Sequence, residues 1–238
     1  MTKSFSLWVY LSATPLFWLT VTLVAWLVAD TASRLSRRNP LVNPVLIAVA
    51  LVAVLLATTG TDYRTYFDGA QFVHFLLGPA TVALGVPLYR NLPLVRRDLL
   101  PMAASLAVGS VVAVLSAVGI AAAMGVPHDV LVSLAPKSVT AGIAMAVSQN
   151  LGGIPSLTAA LVIITGIVGA IVVTPLMNIL RIRDYAARGF AVGLASHGIG
   201  TARAFTVSSL AGTFAGIAMG LNAVVTALLV PLLLRLFR

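Results

Sequence analysis

Residues 130–180 read VLVSLAPKSVTAGIAMAVSQNLGGIPSLTAALVIITGIVGAIVVTPLMNIL, with Lys137 as the single formal charge. One helix crosses a bilayer with roughly 20 apolar residues, so this stretch is long enough for two passes or for one pass plus a re-entrant segment. It is also broken twice. Leu134-Ala135-Pro136-Lys137-Ser138 places a proline and an ammonium inside its first half, and Leu151-Gly152-Gly153-Ile154-Pro155 divides it again. Proline removes a backbone donor and biases the residue before it away from the helical region. Backbone that leaves the helix at membrane depth is tolerated only where it is buried in protein or lines a cavity. The stretch points to an all-helical integral membrane protein with interrupted helices, the kind from which secondary transporters build their sites.

The rest of the chain agrees. Of 238 residues, 60% are hydrophobic and 9% charged, against about 25% charged in soluble domains. That balance excludes both a soluble domain and a disordered chain. Charge-free runs span residues 4–29, 39–61, 69–89, 99–127, 138–180 and 204–234. The first four each predict one helix. The first is too long for a signal-peptide core of about 7–15 residues and reads as a retained helix. Residues 189–234 form a second compound stretch with only Arg203 inside it, interrupted at Ser196-His197-Gly198-Ile199-Gly200-Thr201. The expectation is a single membrane domain, 1–238, a polytopic bundle of about seven or eight segments. Arg34, Arg37 and Arg38, Arg90, Arg96 and Arg97, Arg181, Arg183 and Arg188, and Arg235 and Arg238 form four clusters. The cytoplasmic bias of Lys and Arg puts all four inside, with seven net crossings. A bacterial inner membrane is the expected location.

The net charge of +9 does not point to nucleic acid, because the cations lie between apolar runs and not on one soluble face. There is no Cys, and the three His have no carboxylate at metal-ligand spacing, so neither a metal nor another cofactor is expected. All six acidic residues are Asp and fall near predicted helix ends, which disfavours an antiporter with a buried carboxylate. An ammonium in hydrocarbon costs about 2.5–3.5 kcal/mol on insertion scales and marks a functional site. Lys137 and Arg203 therefore suggest an anionic cargo, with Arg suited to grip a carboxylate by two parallel bonds. Ser138, Thr140, Ser196 and Thr201 would add donors, and His197 a proton. Pro79, Pro136, Gly152, Gly153, Gly198 and Gly200 are the candidate helix breaks. Small residues four apart, at Gly166 and Ala170, Gly189 and Gly193, and Gly212, Gly216 and Gly220, predict close helix packing. Adjacent Ser196 and His197 do not make a catalytic triad, and no enzymatic role is expected.

Several motifs resemble the LrgB/CidB family. They are Pro136-Lys137-Ser138-Val139-Thr140, Gly152-Gly153-Ile154-Pro155-Ser156-Leu157-Thr158-Ala159, Ala187-Arg188-Gly189 and, most specific, Ala195-Ser196-His197-Gly198-Ile199-Gly200-Thr201-Ala202-Arg203-Ala204. The resemblance divides the chain into a first helix and loop, 1–39, and an LrgB-like region, 40–238. It implies a multi-pass membrane protein, often made beside a smaller LrgA/CidA-type membrane partner. Such pairs are described as holin- or antiholin-like regulators of murein hydrolase activity and cell lysis, and related members look like transporters of small carboxylates such as pyruvate, glycolate and glycerate. One departure is visible: many relatives carry acidic residues after the Thr-Ala-Arg motif, where this chain reads Phe205-Thr206-Val207-Ser208-Ser209-Leu210.

The residues and the resemblance together favour a transporter or facilitator of a small organic anion in the lipid bilayer, as a homo-oligomer. The alternative is a holin/antiholin-like regulator.

Overall fold

Prolines and short polar caps set where the helices begin and end. The structure is a computed structural model that describes residues 14–83 and 85–237; residues 4–13 of the first expected helix lie outside them. Every α or β element among the described residues is a helix. The chain divides into two compact units, Met1–Ala83 and Leu84–Arg238.

In the first unit, α1 (Pro15–Leu35) starts on a proline at its first turn, where the missing N–H costs nothing. Helix α2 (Pro44–Thr59) also starts on proline, is capped by the Asn43 side chain and ends at Gly60 with φ +64°. At 16 residues it is about 24 Å long, short of the roughly 30 Å hydrocarbon core. Helix α3 (Tyr63–Phe75) packs on α1. Trp18 is fully buried there, edge-on to Tyr66, and Gly69 lets the α1 backbone approach, since a Cβ would lie 2.7 Å from the Trp18 Cβ.

Residues 69–89 do not form the single helix expected. Helix α3 ends at Phe75, α4 covers Leu77–Ala83, and α5 covers Gly85–Arg90. The cause is local. Pro79 cannot donate to the Phe75 carbonyl four residues back, and Phe75 is the residue at which α3 stops. Pro79 itself sits in the first turn of α4.

The second unit continues with α6 (Leu92–Arg97), α7 (Leu99–Ala123), α8 (His128–Leu134), α9 (Ala141–Asn150), α10 (Pro155–Ile179), α11 (Tyr185–Val207), α12 (Ser209–Leu233) and a 3-10 turn, Leu234–Phe237. Among the described residues, four helical stretches are long and apolar enough to cross a membrane: Pro15–Leu35, Leu99–Ala123, Pro155–Ile179 and Ser209–Phe237. The remaining helices of the second unit are short or interrupted.

Two apolar clusters mark the ends of this unit. At one end Val95 and Met102 pack with Phe190 and Phe214. At the other, Val118 and Ala121 pack with Leu131 and Leu234. The clusters of Arg96 and Arg97 and of Arg188 belong to the first end, and Arg235 to the second. The expectation that all four Arg clusters share one side is therefore corrected. Residues 185–207 return to the end they started from, so α12 alone runs between Arg188 and Arg235.

Candidate functional site

Both compound stretches fold back on themselves. After α8 the backbone runs through turns at residues 135–140 and restarts as α9. Pro136 is fully buried at the turn, and Thr140 occupies the N-cap position of α9 in extended geometry, without a side-chain cap bond. Helix α9 then ends near α8: the Ile154 N–H donates to Ser133 Oγ at 2.7 Å, and a Cβ on Gly153 would lie 3.0 Å from Val132 Cγ1. Gly152 supplies the turn, with φ +86°, a conformation open to glycine. The Thr158 hydroxyl donates to Ser148 Oγ at 2.8 Å, so the hydroxyls of this junction are bonded internally.

The second fold-back lies inside α11. Its helical geometry fails at Ser196 (φ −133°, ψ 18°) and His197 (φ 41°, ψ −135°). Residues eight apart on a straight helix are separated by about 12 Å along the axis. Here a Cβ on Gly200 would lie 2.8 Å from Val192 Cγ2, and Val192 packs with Ala204. The two halves of α11 are thus an antiparallel hairpin. The break falls on Ser196 and His197, and not on Gly198 and Gly200, which lie in the restarted helix. Gly200 serves the close approach of the halves instead.

A positive φ at a non-glycine residue costs of order 1–3 kcal/mol and persists only where surroundings fix it. The surroundings here are specific. The His197 ring bonds through Nε2 to the Val162 carbonyl of α10 at 2.9 Å, and the Thr201 hydroxyl donates to the His197 carbonyl at 2.8 Å. Gly166 and Gly169 of α10 make room: a Cβ on Gly166 would lie 2.7 Å from the His197 ring, and one on Gly169 would overlap Ser196. Gly189 and Gly193 likewise let α11 approach the α12 backbone at Ala211 and Ala215, in agreement with the close packing expected of that pair.

The two fold-backs meet. Val139, from the first, packs with Ala144 and with Val162, the residue whose carbonyl holds His197. Asn222 of α12 joins them directly. Its Nδ2 donates to the Leu194 carbonyl at 2.9 Å and the Ser138 carbonyl at 3.5 Å. The hydroxyls of Ser110 and Thr226 lie 2.7 and 3.0 Å from its Oδ1. Asn222 is 1% exposed, so each of these bonds matters more than it would in water. Sequence reading passed over Asn222, an amide within a stripe of small residues. The signal was present, because a carboxamide in a spanning helix needs buried partners.

Of the expected site residues, Ser138, Ser196, His197 and Thr201 are buried at this junction. Lys137 is partly exposed on the first turn, and Thr140 follows it. Arg203 lies elsewhere, six residues down the returning half of α11. There it lines a cavity of about 20 Å³ with Tyr185, Arg188 and Val173, room for about one water. Its Nη1 donates to Thr206 Oγ1 at 3.4 Å. Lys137 does not line that cavity.

The LrgB-like family matches residues 22–236, so the likeness begins inside α1 and not at residue 40. The holin-like protein CidB of Staphylococcus epidermidis is 34% identical over 84% of this chain and 87% of its own length. That of Staphylococcus aureus is 33% identical over 87% and 91%, and the YwbG protein of Bacillus subtilis is 36% identical over 85% and 91%. No solved structure matches the chain. The relatives' names favour the holin-like expectation over carriage of an organic anion. With its family match, its long apolar helices and its two fold-back segments, the chain is a membrane protein of the LrgB/CidB family.

Proposed function

We propose that this protein is a holin-like regulator, multi-pass in the bacterial inner membrane and without a chemical step of its own. The observation that carries the reading is the likeness to CidB proteins named holin-like, at 33–34% identity over 84–87% of the chain. Function then rests on helix packing, in a homo-oligomer or against an LrgA/CidA-type partner. Gly220 of α12 suits such a contact: it is exposed, and a Cβ there meets nothing within 4 Å, so an approaching helix backbone has room. Autolysis of cells expressing the chain tests this. Gly220→Leu abolishes the effect on lysis while Lys137→Ala and Arg203→Ala retain it. The opposite order contradicts the reading.

A second reading is supported by the junction itself: facilitated passage of a small monocarboxylate through the meeting point of the two fold-backs. Lys137 supplies charge there, and the neighbouring hydroxyls and backbone N–H groups orient the carboxylate by charge-assisted bonds. Proteoliposomes loaded with labelled pyruvate, lactate, glycolate or glycerate test it. Flux of one of these that falls at least tenfold in Lys137→Ala supports it, and absence of flux for all four, with or without a partner protein, refutes it.

A further inference from the structure

Between α7 and the first half of α11 runs a groove of about 450 Å³ that neither functional reading uses. Its mouth carries Arg97, Asp98 and Asp184, and its walls, apart from Ser105, are apolar down to Gly109 and Leu194. Asp98 to Gly109 along α7 is about 16 Å, and Asp184 to Leu194 along α11 about 15 Å. Half the hydrocarbon core of a bilayer is also about 15 Å. The groove therefore changes from charged to apolar over the depth of one leaflet, parallel to its two helices.

The mouth has both signs of charge. Arg97 Nε lies 3.0 Å from Asp98 Oδ1. Asp184 accepts the Ala186 and Ala187 N–H groups as the α11 cap. The hydrogen bond and charge of Asp98, with a smaller contribution from Asp184, hold the Arg97 guanidinium above its ordinary basicity. One cation beside two carboxylates matches a headgroup that itself carries a phosphate and an ammonium. A purely anionic headgroup would face both carboxylates.

We propose that this groove binds a glycerophospholipid with a zwitterionic, primary-ammonium headgroup of the phosphatidylethanolamine type: one acyl chain lies along α7 and α11, the phosphate faces Arg97, and the ammonium faces Asp98 and Asp184. The site rests only on the chain standing in a bilayer. Arg96, Arg181 and Arg183 lie next in sequence to the mouth or close by and attract anionic lipid at longer range, so headgroup preference is the discriminating property.

Native mass spectrometry of the purified full chain, offered equal phosphatidylethanolamine and phosphatidylglycerol, tests the proposal. The expected result is one retained lipid per chain, with phosphatidylethanolamine preferred about fivefold, the worth of one interfacial charge. Ser105→Trp, at a position lining the groove, abolishes retention. Asp98→Asn combined with Asp184→Asn keeps the capping chemistry and removes the preference. Phosphatidylglycerol retained as well as or better than phosphatidylethanolamine by the unmodified chain overturns the proposal. So does unchanged lipid retention in Ser105→Trp, or loss of a second protein copy there in place of lipid. If Ser105→Trp does not fold, the doubly substituted Asn variant decides: a preference that survives in it overturns the proposal.

Discussion

The two fold-backs of the second unit reverse the chain by different means. The first is written into its own residues: Pro136 stops α8, Gly152 takes the positive φ of the following turn, and Ser133 bonds the returning backbone at Ile154. The second has no proline, and its positive φ falls on His197. Its cause lies on neighbouring helices, in the Val162 carbonyl that receives the His197 ring and in the glycines of α10 that clear space for it. A break of the first kind survives loss of its surroundings better than one of the second kind.

The largest effect is therefore expected on α10, remote in sequence from the hairpin it shapes. Gly169→Val places side-chain atoms onto Ser196. Overpacking usually costs about 1–3 kcal/mol, an overlap this deep exceeds that range, and detergent thermal stability measured by size-exclusion fluorescence should collapse. Asn222→Leu comes next. It leaves the Leu194 and Ser138 carbonyls without their donor and the Thr226 hydroxyl without its acceptor, at about 2–3 kcal/mol. The same assay with limited proteolysis should show new cleavage at both fold-backs, since Asn222 serves both. Cleavage confined to one would separate what we describe as joined.

His197 sharpens the comparison further. His197→Gly and His197→Ala both lose the bond to Val162, but glycine accepts φ 41° without strain. His197→Gly should be the more stable of the two by about 1 kcal/mol. The smallest effect is expected at Pro136→Ala, about 0.5–1 kcal/mol, because Ser133 and Gly152 still close the first turn.

The same contrast explains what the sequence made legible. Composition and charge-free runs revealed an all-helical membrane protein, and Pro136, Gly152 and Gly153 marked the first fold-back, because those signals act through the local backbone. The end of α3 at Phe75 is equally local: Pro79 stands among the candidate helix breaks, although the apolar run around it predicts one continuous helix. The second interruption reads at 196–201 in the sequence, with Gly198 and Gly200 as candidate breaks, and the structure puts the non-helical φ/ψ at Ser196 and His197. Glycine is the usual carrier of positive φ, and only the tertiary bond to Val162 shows why His197 carries it. Arg203 and Lys137 looked equivalent as lone charges. The reversal at His197 returns Arg203 toward Arg188 and away from the junction, which spacing along the chain does not reveal.

The reversal of the chain at Ser196 and His197 is the central claim, and the absence of cysteine in this sequence makes it directly measurable. Val192→Cys with Ala204→Cys places two thiols where the hairpin packs the side chains together, the arrangement a disulfide needs with its Cβ atoms about 3.5–4.5 Å apart. Oxidation of the membrane-embedded protein should form that disulfide rapidly and nearly completely, read by mass spectrometry of the linked peptide. A continuous helix separates the pair by about 18 Å, and failure of the bond to form in a folded variant would contradict the account.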